Sequence, residues 1–329
     1  MNATLVEAVN DALHVAMEAD DRTVVFGEDV AESGGVFRAT EGLKDEFGGE
    51  RVLDTPITEI GIVGSAVGLA MAGFRPVAEI QFSGFLPPTF NQLVAMASRI
   101  RWRTRGEHSA PMVVRAPYGG GVRALEHHSE SLEAVYGHIP GLKVAIPSTP
   151  ADAKGMLLSA IADPDPVLFL EPKRIYRTHR EEVPEGDATV PLGEAAIRQS
   201  GEDLTVIAWG STMNDTVEAV EAVEERRDAS IEVVDLRTIS PFDRETVIES
   251  VKKTGRAAIV QEAAKTGGFA SELIATINDR ALMSLEAPVQ RITGFDVPIP
   301  MLAMEDYYLP NPPRIEEGLE RALDAEGGV

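Results

Sequence analysis

At 329 residues the chain is too long for one ordinary core, and the usual size of domains predicts about two. A composition of 44% hydrophobic and 25% charged residues is that of a soluble globular protein, and the absence of cysteine excludes disulfides, thiol nucleophiles and thiolate metal sites. The net charge of −23 makes nucleic acid and anionic membrane surfaces poor partners and reads as a solvated surface suited to high salt.

Residues 1–21, "MNATLVEAVNDALHVAMEADD", read as an amphipathic helix with acids throughout. They lack the basic start and apolar core of a signal peptide, so a cytoplasmic location is expected. Strand-like runs follow: "TVVFG" at 23–27, "RPVAEIQF" at 75–82, "PMVVRAP" at 111–117, "LKVAIP" at 142–147 and "PVLFLEP" at 166–172. Between them lie helical patterns, among them Phe90 to Thr104 and "TPADAKGMLLSAIAD" from Thr149, with Asp152 in its first turn and Pro164 past its end. The uncharged run from Ile60 to Phe74 falls short of the roughly 20 residues a membrane span needs and predicts a buried helix.

The alternation implies an α/β fold, a mostly parallel sheet with helices on both faces. Residues 177–194 are polar, hold two prolines and lack periodicity, which makes them the best linker candidate. Domains are expected over 1–180 and 194–329, joined by a linker at 181–193. Beyond it the alternation restarts with "LTVIAWG", a helix from Asn214 to Arg227, "IEVVDLRTI" as one strand and a helix from Asp243 to Lys253. "AAIVQEA", a helix from Ala270 to Asp279, "VQRITG" and a helix from Arg314 to Asp324 complete it.

Glu59 stands at the head of the long uncharged run. Thr58 can cap a helix that starts at Glu59, where a carboxylate complements the helix dipole. Gly64, Gly68 and Ala72 recur every four residues and leave a face narrow enough for another backbone. An acid beside such a crossing would be partly desolvated, which suits it to share a proton near neutral pH. Residues 116–144, "APYGGGVRALEHHSESLEAVYGHIPGLKV", hold a triple glycine that reads as ordinary loop, since neither a Walker lysine nor a G-x-G-x-x-G spacing follows. His127, His128 and His138 lack a carboxylate at ligand spacing, so a metal cluster is not expected. One histidine in such a loop suits proton transfer. There is no G-x-S-x-G elbow and no dinucleotide fingerprint.

Several phrases, in collinear order over residues 4–322, are familiar: "VVFGEDVAESGGVFRATEGL", "FGGERVLDTPITEIGIVGSAVGLAMAGFRPVAEIQF", "APYGGG", "HSESLEA", "GHIPGLKVAIPSTPADAKGMLLSAI", "PVLFLEPKRIYR", "VVDLRTISPFD" and "KKTGRAAIVQEA". Together they resemble the beta subunit of the thiamine-diphosphate-dependent decarboxylating component of 2-oxo-acid dehydrogenase complexes. The resemblance implies two three-layer α/β/α domains, a pyrimidine-binding domain and a transketolase C-terminal-like domain. It also implies an alpha2beta2 heterotetramer whose alpha subunit holds the diphosphate and magnesium through a G-D-G and asparagine motif that is missing here.

By that resemblance Glu59 hydrogen-bonds the aminopyrimidine ring, with Gly64 and Gly68 at the family's spacing. Phe85 packs on that ring, Gln81 lies on the same wall, and His128, directly before Ser129, assists acyl transfer to the lipoyl arm of the acyltransferase core. The family's structural potassium would fall at the carbonyls of Met112, Ala160, Ile161 and Asp163 and at Asp165, where the family has Asn. Among small 2-oxo acids pyruvate is favoured, because the "SGFLPP" loop and "PSTPADAKG" are similar to pyruvate-type chains. Branched-chain 2-oxo acids come next, and acetoin cleavage and a non-catalytic subunit-interaction module are the alternatives.

Overall fold

The computed structural model describes residues 1–325. After a short strand β1 (Asn2–Ala3), helix α1 (Leu5–Ala19) opens with the Glu7 carboxylate accepting the Thr4 N–H at 2.8 Å. Leu5, Val9, Leu13 and Met17, four residues apart, form its buried stripe. The first sheet then takes β2 (Thr23–Gly27), β3 (Val52–Asp54), β4 (Arg75–Glu79), β5 (Val113–Tyr118), β6 (Lys143–Ala145) and β7 (Val167–Pro172), all parallel in the order β6-β7-β5-β4-β2-β3. Every residue of β2, β5 and β7 is buried, as a parallel strand covered on both faces requires.

The intervening helices are α2 (Leu43–Phe47), α3 (Glu59–Met71), α4 (Ile100–Arg103), α5 (Glu133–Gly137) and α6 (Pro150–Ala162). Helices α1 and α6 pack together on one face of the sheet, over Val25, Val77, Val113 and Phe169. On the other face α3 and residues 91–103 cover Val24, Phe26, Ala78 and Val114. The chain leaves β2 toward β3 on one side and returns through α3 to β4 on the other. That reversal opens a crevice at the carboxyl ends of β2 and β4, where ligands bind in such sheets.

The helix expected from Phe90 to Thr104 is not uniform. Residues Asn91–Met96 wind as a π-helix, Ala97–Arg99 as a 3₁₀ turn, and only α4 is regular. The Ser98 hydroxyl bonds back to the Val94 carbonyl at 2.8 Å, a competing bond of the kind that distorts helices. The expected buried helix of α3 is buried on one side alone, through Ile62, Val63, Ala66, Val67 and Ala70.

Strand β8 (Glu181–Glu182) pairs antiparallel with β1, and Val190 donates its N–H to Gly155, so the polar connecting segment lies against α6. The second sheet contains β9 (Ala196–Gln199), β10 (Leu204–Ala208), β11 (Ile231–Asp235), and, after β12 (Thr238–Ser240), β13 (Ala257–Ala264) and β14 (Gln290–Gly294). Its order is β14-β13-β10-β11-β9, with β9 antiparallel. Helices α7 (Thr212–Arg226), α8 (Arg244–Thr254), α9 (Ala270–Ala281), α10 (Glu305–Tyr308) and α11 (Pro312–Asp324) complete the domain. α7 and α11 cover one face of this sheet, and α8 and α9 the other.

"IEVVDLRTI" is therefore two strands rather than one. Arg237 adopts φ 57°, turning the chain, and β12 leaves its own domain to pair antiparallel with β6 as the seventh strand of the first sheet. One apolar cluster joins Ile146 and Leu170 of the first domain to Ile207, Trp209 and Phe269 of the second. Asp152 on α6 adds an ion pair to Arg237 at 2.6 Å. The two domains thus share a core as well as a linker.

Candidate functional site

Turns after four neighbouring strands meet at the carboxyl end of the first sheet. Glu28 and Asp29 follow β2, Asp54 ends β3, Gln81 to Phe85 follow β4, and Gly119 to His128 follow β5. The Asp54 carboxylate accepts the N–H groups of Ala31 at 2.7 Å and Glu32 at 3.2 Å and so fixes the turn after β2. Asp29 adopts φ 57° and accepts a hydrogen bond from the Gln81 amide at 3.4 Å. This bond joins the ends of β2 and β4 across the topological reversal.

Glu59 is the first residue of α3 and is half-buried. The Thr58 side chain does not cap the helix, contrary to expectation. Its carbonyl accepts the Ile62 N–H at 2.9 Å, while its methyl lies over Gly61, 2.9 Å from where a Cβ would stand. The carboxylate of Glu59 is left at the positive end of the helix. Beside it stands Glu28, a residue that sequence reasoning did not single out. Glu28 is buried, its Oε1 has no hydrogen-bond partner, and burial first and the Glu59 charge second raise its pKa. An acid placed directly after a wholly buried parallel strand was the signal available in the sequence.

The small-residue face of α3 is open. No atom lies within 4 Å of a Cβ built on Gly68, and Gly64 meets only Gln92 at 3.7 Å. Around it Ile57 is 84% exposed, and Ile60, Met71 and Phe74 are exposed as well. Exposed apolar side chains in and beside one helix with an open glycine face suit an interaction surface.

His128 ends a 3₁₀ turn, Glu126–His128, and the structure brings it together with Phe85. Their ring centroids are 5.3 Å apart, and Phe82 meets the His128 ring edge-on at 4.5 Å. Burial first, then the charges of His127 and Lys173, lower the pKa of His128, and its Nδ1 is buried without a partner. His127 lies alongside at 4.4 Å but is more exposed to solvent. A Cβ on Gly84 would collide with the His127 carbonyl, so a glycine is required for this approach. His138 is elsewhere, lining a separate cleft with Trp102, Lys143 and Pro241. Among the described residues no group of three His, Asp or Glu side chains is arranged to hold a metal, and no described helix is long and apolar enough to cross a membrane.

Beneath the crevice, Arg115 in β5 is fully buried and bridges neighbouring strands. Its Nε and one terminal nitrogen donate to Glu171 of β7 at 2.7 Å each, and the other terminal nitrogen donates to Glu79 of β4. Tyr176 donates its hydroxyl to Glu171 at 2.5 Å. The Arg115 carbonyl accepts the Ile80 N–H at 3.0 Å, which sets the path of the chain into Gln81.

Cationic side chains reach three of the five positions expected to hold potassium. Arg75 donates to the Ile161 carbonyl at 2.8 Å, Arg101 pairs with Asp165 at 2.6 Å, and Lys143 pairs with Asp163. The Met112 carbonyl accepts the Val167 N–H at 3.0 Å and the Ala160 carbonyl the Asp163 N–H at 3.3 Å. Of the four carbonyls only that of Ile161 meets a protein cation, and the carboxylates of Asp163 and Asp165 are already paired with Lys143 and Arg101.

The family profile described as transketolase, pyrimidine binding domain, matches residues 2–179, and that of the transketolase C-terminal domain matches residues 193–315. The chain is 54% identical to the pyruvate dehydrogenase E1 component subunit beta of Acholeplasma laidlawii over 322 residues, 98% of each chain. It is 48% identical to the corresponding subunit of Bacillus subtilis (strain 168), again over 98% of each. It is also 48% identical to the mitochondrial 2-oxoisovalerate dehydrogenase subunit beta of Dictyostelium discoideum, over 97% of this chain and 86% of that one. A solved split-gene transketolase, described as an inactive beta4 tetramer, shares the fold with a TM-score of 0.77 at 22% identity, covering 98% of this chain and 99% of that one. With both transketolase domains in order and relatives matched along nearly their whole length, the chain belongs to the family of E1 beta subunits of 2-oxo-acid dehydrogenases.

Proposed function

We propose that this chain is the beta subunit of a thiamine-diphosphate-dependent 2-oxo-acid dehydrogenase, active only in an alpha2beta2 heterotetramer with an alpha subunit. Pyruvate is the favoured substrate and branched-chain 2-oxo acids are next, in keeping with the names of its relatives. The observations that carry this reading are an acid pair, Glu28 beside Glu59, and an aromatic pair, Phe85 against His128, after neighbouring strands at one end of the first sheet, with an open glycine face on α3.

Thiamine diphosphate suits these residues. The Glu59 carboxyl can meet a ring nitrogen, Phe85 offers an apolar face to an aromatic ring, and Glu28 Oε1 is a buried acceptor without a protein partner. When bound, the cofactor supplies the carbon nucleophile and the electron sink for decarboxylation. Glu59 is placed to hydrogen-bond a ring nitrogen, and burial first, then the Glu59 charge, raise the pKa of Glu28 beside it. Phe82 and Phe85 exclude water from that wall. Burial lowers the pKa of His128, which makes its protonated ring a stronger acid toward the acyl acceptor, a lipoyl group of an acyltransferase core. The diphosphate and magnesium fall to the alpha subunit, since no G-D-G motif occurs in this chain.

The test is co-expression with an alpha subunit that carries G-D-G, followed by a panel of 2-oxo acids. The beta chain alone is expected to be inactive, and robust turnover by it would overturn the half-site reading. Glu59→Gln in the assembled tetramer is expected to lower decarboxylation by about a hundredfold or more. Full activity in that variant would sink the cofactor assignment.

A further inference from the structure

The triple glycine after β5 is not explained by anything above. Gly119 and Gly121 have φ of 79° and 90°, in the left-handed region that favours glycine. The third glycine makes room for the Arg174 side chain, and the reason for the first two lies in the second domain, which closes two carboxylates onto this backbone. Glu262, on β13, accepts the Gly120 N–H and, at 3.0 Å, the Ser131 hydroxyl, both through Oε1. Its Oε2 accepts the Ser211 hydroxyl at 2.6 Å. Glu305, the first residue of α10, accepts the Gly121 N–H at 2.7 Å and the Arg123 N–H at 2.5 Å. A Cβ on Gly119 would stand 2.7 Å from Glu262 Oε1, and one on Gly120 would stand 2.5 Å from Glu305 Oε1. Any side chain at these two positions would push the carboxylates away.

Glu262 is bound to both stems of a single loop, at residue 120 and at residue 131, and His128 lies between them. Both glutamates are almost fully buried, at 3% and 1% exposure, which carboxylates tolerate only when paired and hydrogen-bonded. Part of the compensation comes from Lys173, a buried residue just after β7 whose ammonium has no hydrogen-bond partner. Burial lowers its pKa to about 8, while the charges of Glu262 and Glu305 oppose that shift. Asp306, next to Glu305, adds an ion pair to Arg123 at 2.6 Å.

We propose that Glu262 and Glu305 are positioning residues that act from the second domain: they clamp the Gly119–Ser131 loop and thereby set the placement of His128 in the crevice. The proposal rests on the reading of His128 given above. A bond from a backbone N–H to a carboxylate is charge-assisted and strong, and burial shields it from competing water.

The experiment uses the assembled tetramer and reads hydrogen exchange of the 119–131 segment together with two half-reactions. These are decarboxylation measured with an artificial electron acceptor and acylation of a lipoyl domain. In Glu305→Ala, exchange at the Gly121 and Arg123 amides is expected to accelerate about tenfold or more, with the amides of β2 and β10 unchanged. Acylation is expected to fall about tenfold further than decarboxylation. Glu305→Gln, which keeps an acceptor oxygen, is expected to recover part of both effects, and it carries the same test if the alanine variant fails to assemble. Unchanged exchange in an assembled variant, or equal loss in the two half-reactions, would overturn the proposal. If His128→Ala leaves acylation intact while Glu305→Ala still accelerates exchange, the role of His128 falls and the clamp stands.

Discussion

Arg115→Met probes how the crevice is supported. In the parent, one fully buried guanidinium serves two buried carboxylates, Glu79 on β4 and Glu171 on β7. Methionine keeps much of the aliphatic stem and removes the charged guanidinium. Glu171 then retains only the Tyr176 hydroxyl, and Glu79 loses its partner. Removing one member of a buried ion pair costs about 3–5 kcal/mol. For a unit of 150–250 residues this lowers the thermal midpoint by about 6–20 °C.

The pH dependence has a definite sign. Burial, the largest cause, already raises the pKa of Glu79, and the Arg115 charge opposes it. Without Arg115 the folded-state pKa rises further above its unfolded value. The folded variant then holds a proton that the unfolded chain has released, so stability falls as pH rises between the two values. The slope is about 1.4 kcal/mol per pH unit for each proton. The deficit should therefore be largest near pH 8 and shrink near pH 5. Calorimetry or urea unfolding across that range measures it. A midpoint at pH 8 within about 2 °C of the parent, or a deficit that grows on acidification, would refute the reasoning.

His128→Ala is expected to slow lipoyl acylation about a hundredfold or more, and an unchanged acylation rate would remove the proposed role. A Cβ at position 68 meets no atom within 4 Å in the single chain, and Gly68→Leu replaces a helical glycine. It should raise the chain's own stability by up to about 1 kcal/mol while blocking assembly with the alpha subunit, as read by sedimentation; normal tetramer formation would count against a subunit crossing on α3. With a net charge of −23, the unfolding midpoint is expected to rise as KCl is increased, because salt screens repulsion among surface carboxylates. A flat or falling midpoint would remove the reading of a surface suited to high salt.

Much of the fold was legible because its signals are local. Buried parallel strands such as Thr23–Gly27 and Val167–Pro172 announce themselves as short apolar runs, and helix starts such as Thr149 and Asp243 carry their own capping side chains, which bond to Asp152 and Thr246. The exceptions are places where a distant partner overrides the local pattern. "IEVVDLRTI" reads as one strand, yet its last residues are captured by β6 of the other domain. Residues 90–104 read as one regular helix, and side-chain to backbone bonding at Ser98 accompanies the change of winding.

The sequence by itself determined a two-domain α/β chain with a lone acid at the head of α3 and a histidine in a glycine-rich loop. These depend on residue type and near-neighbour spacing. Only the tertiary structure decided that Glu28 stands beside Glu59, that Arg115 ties Glu79 to Glu171, and that Gly119 and Gly120 make room for Glu262 and Glu305. The bonds from Gly120 and Gly121 to those two carboxylates join residues 142 and 184 positions apart, and no periodicity in the chain can encode which backbone a carboxylate will meet. A buried charge is stabilised by whatever the fold brings to it, so its partner becomes visible only once the domains have closed on each other.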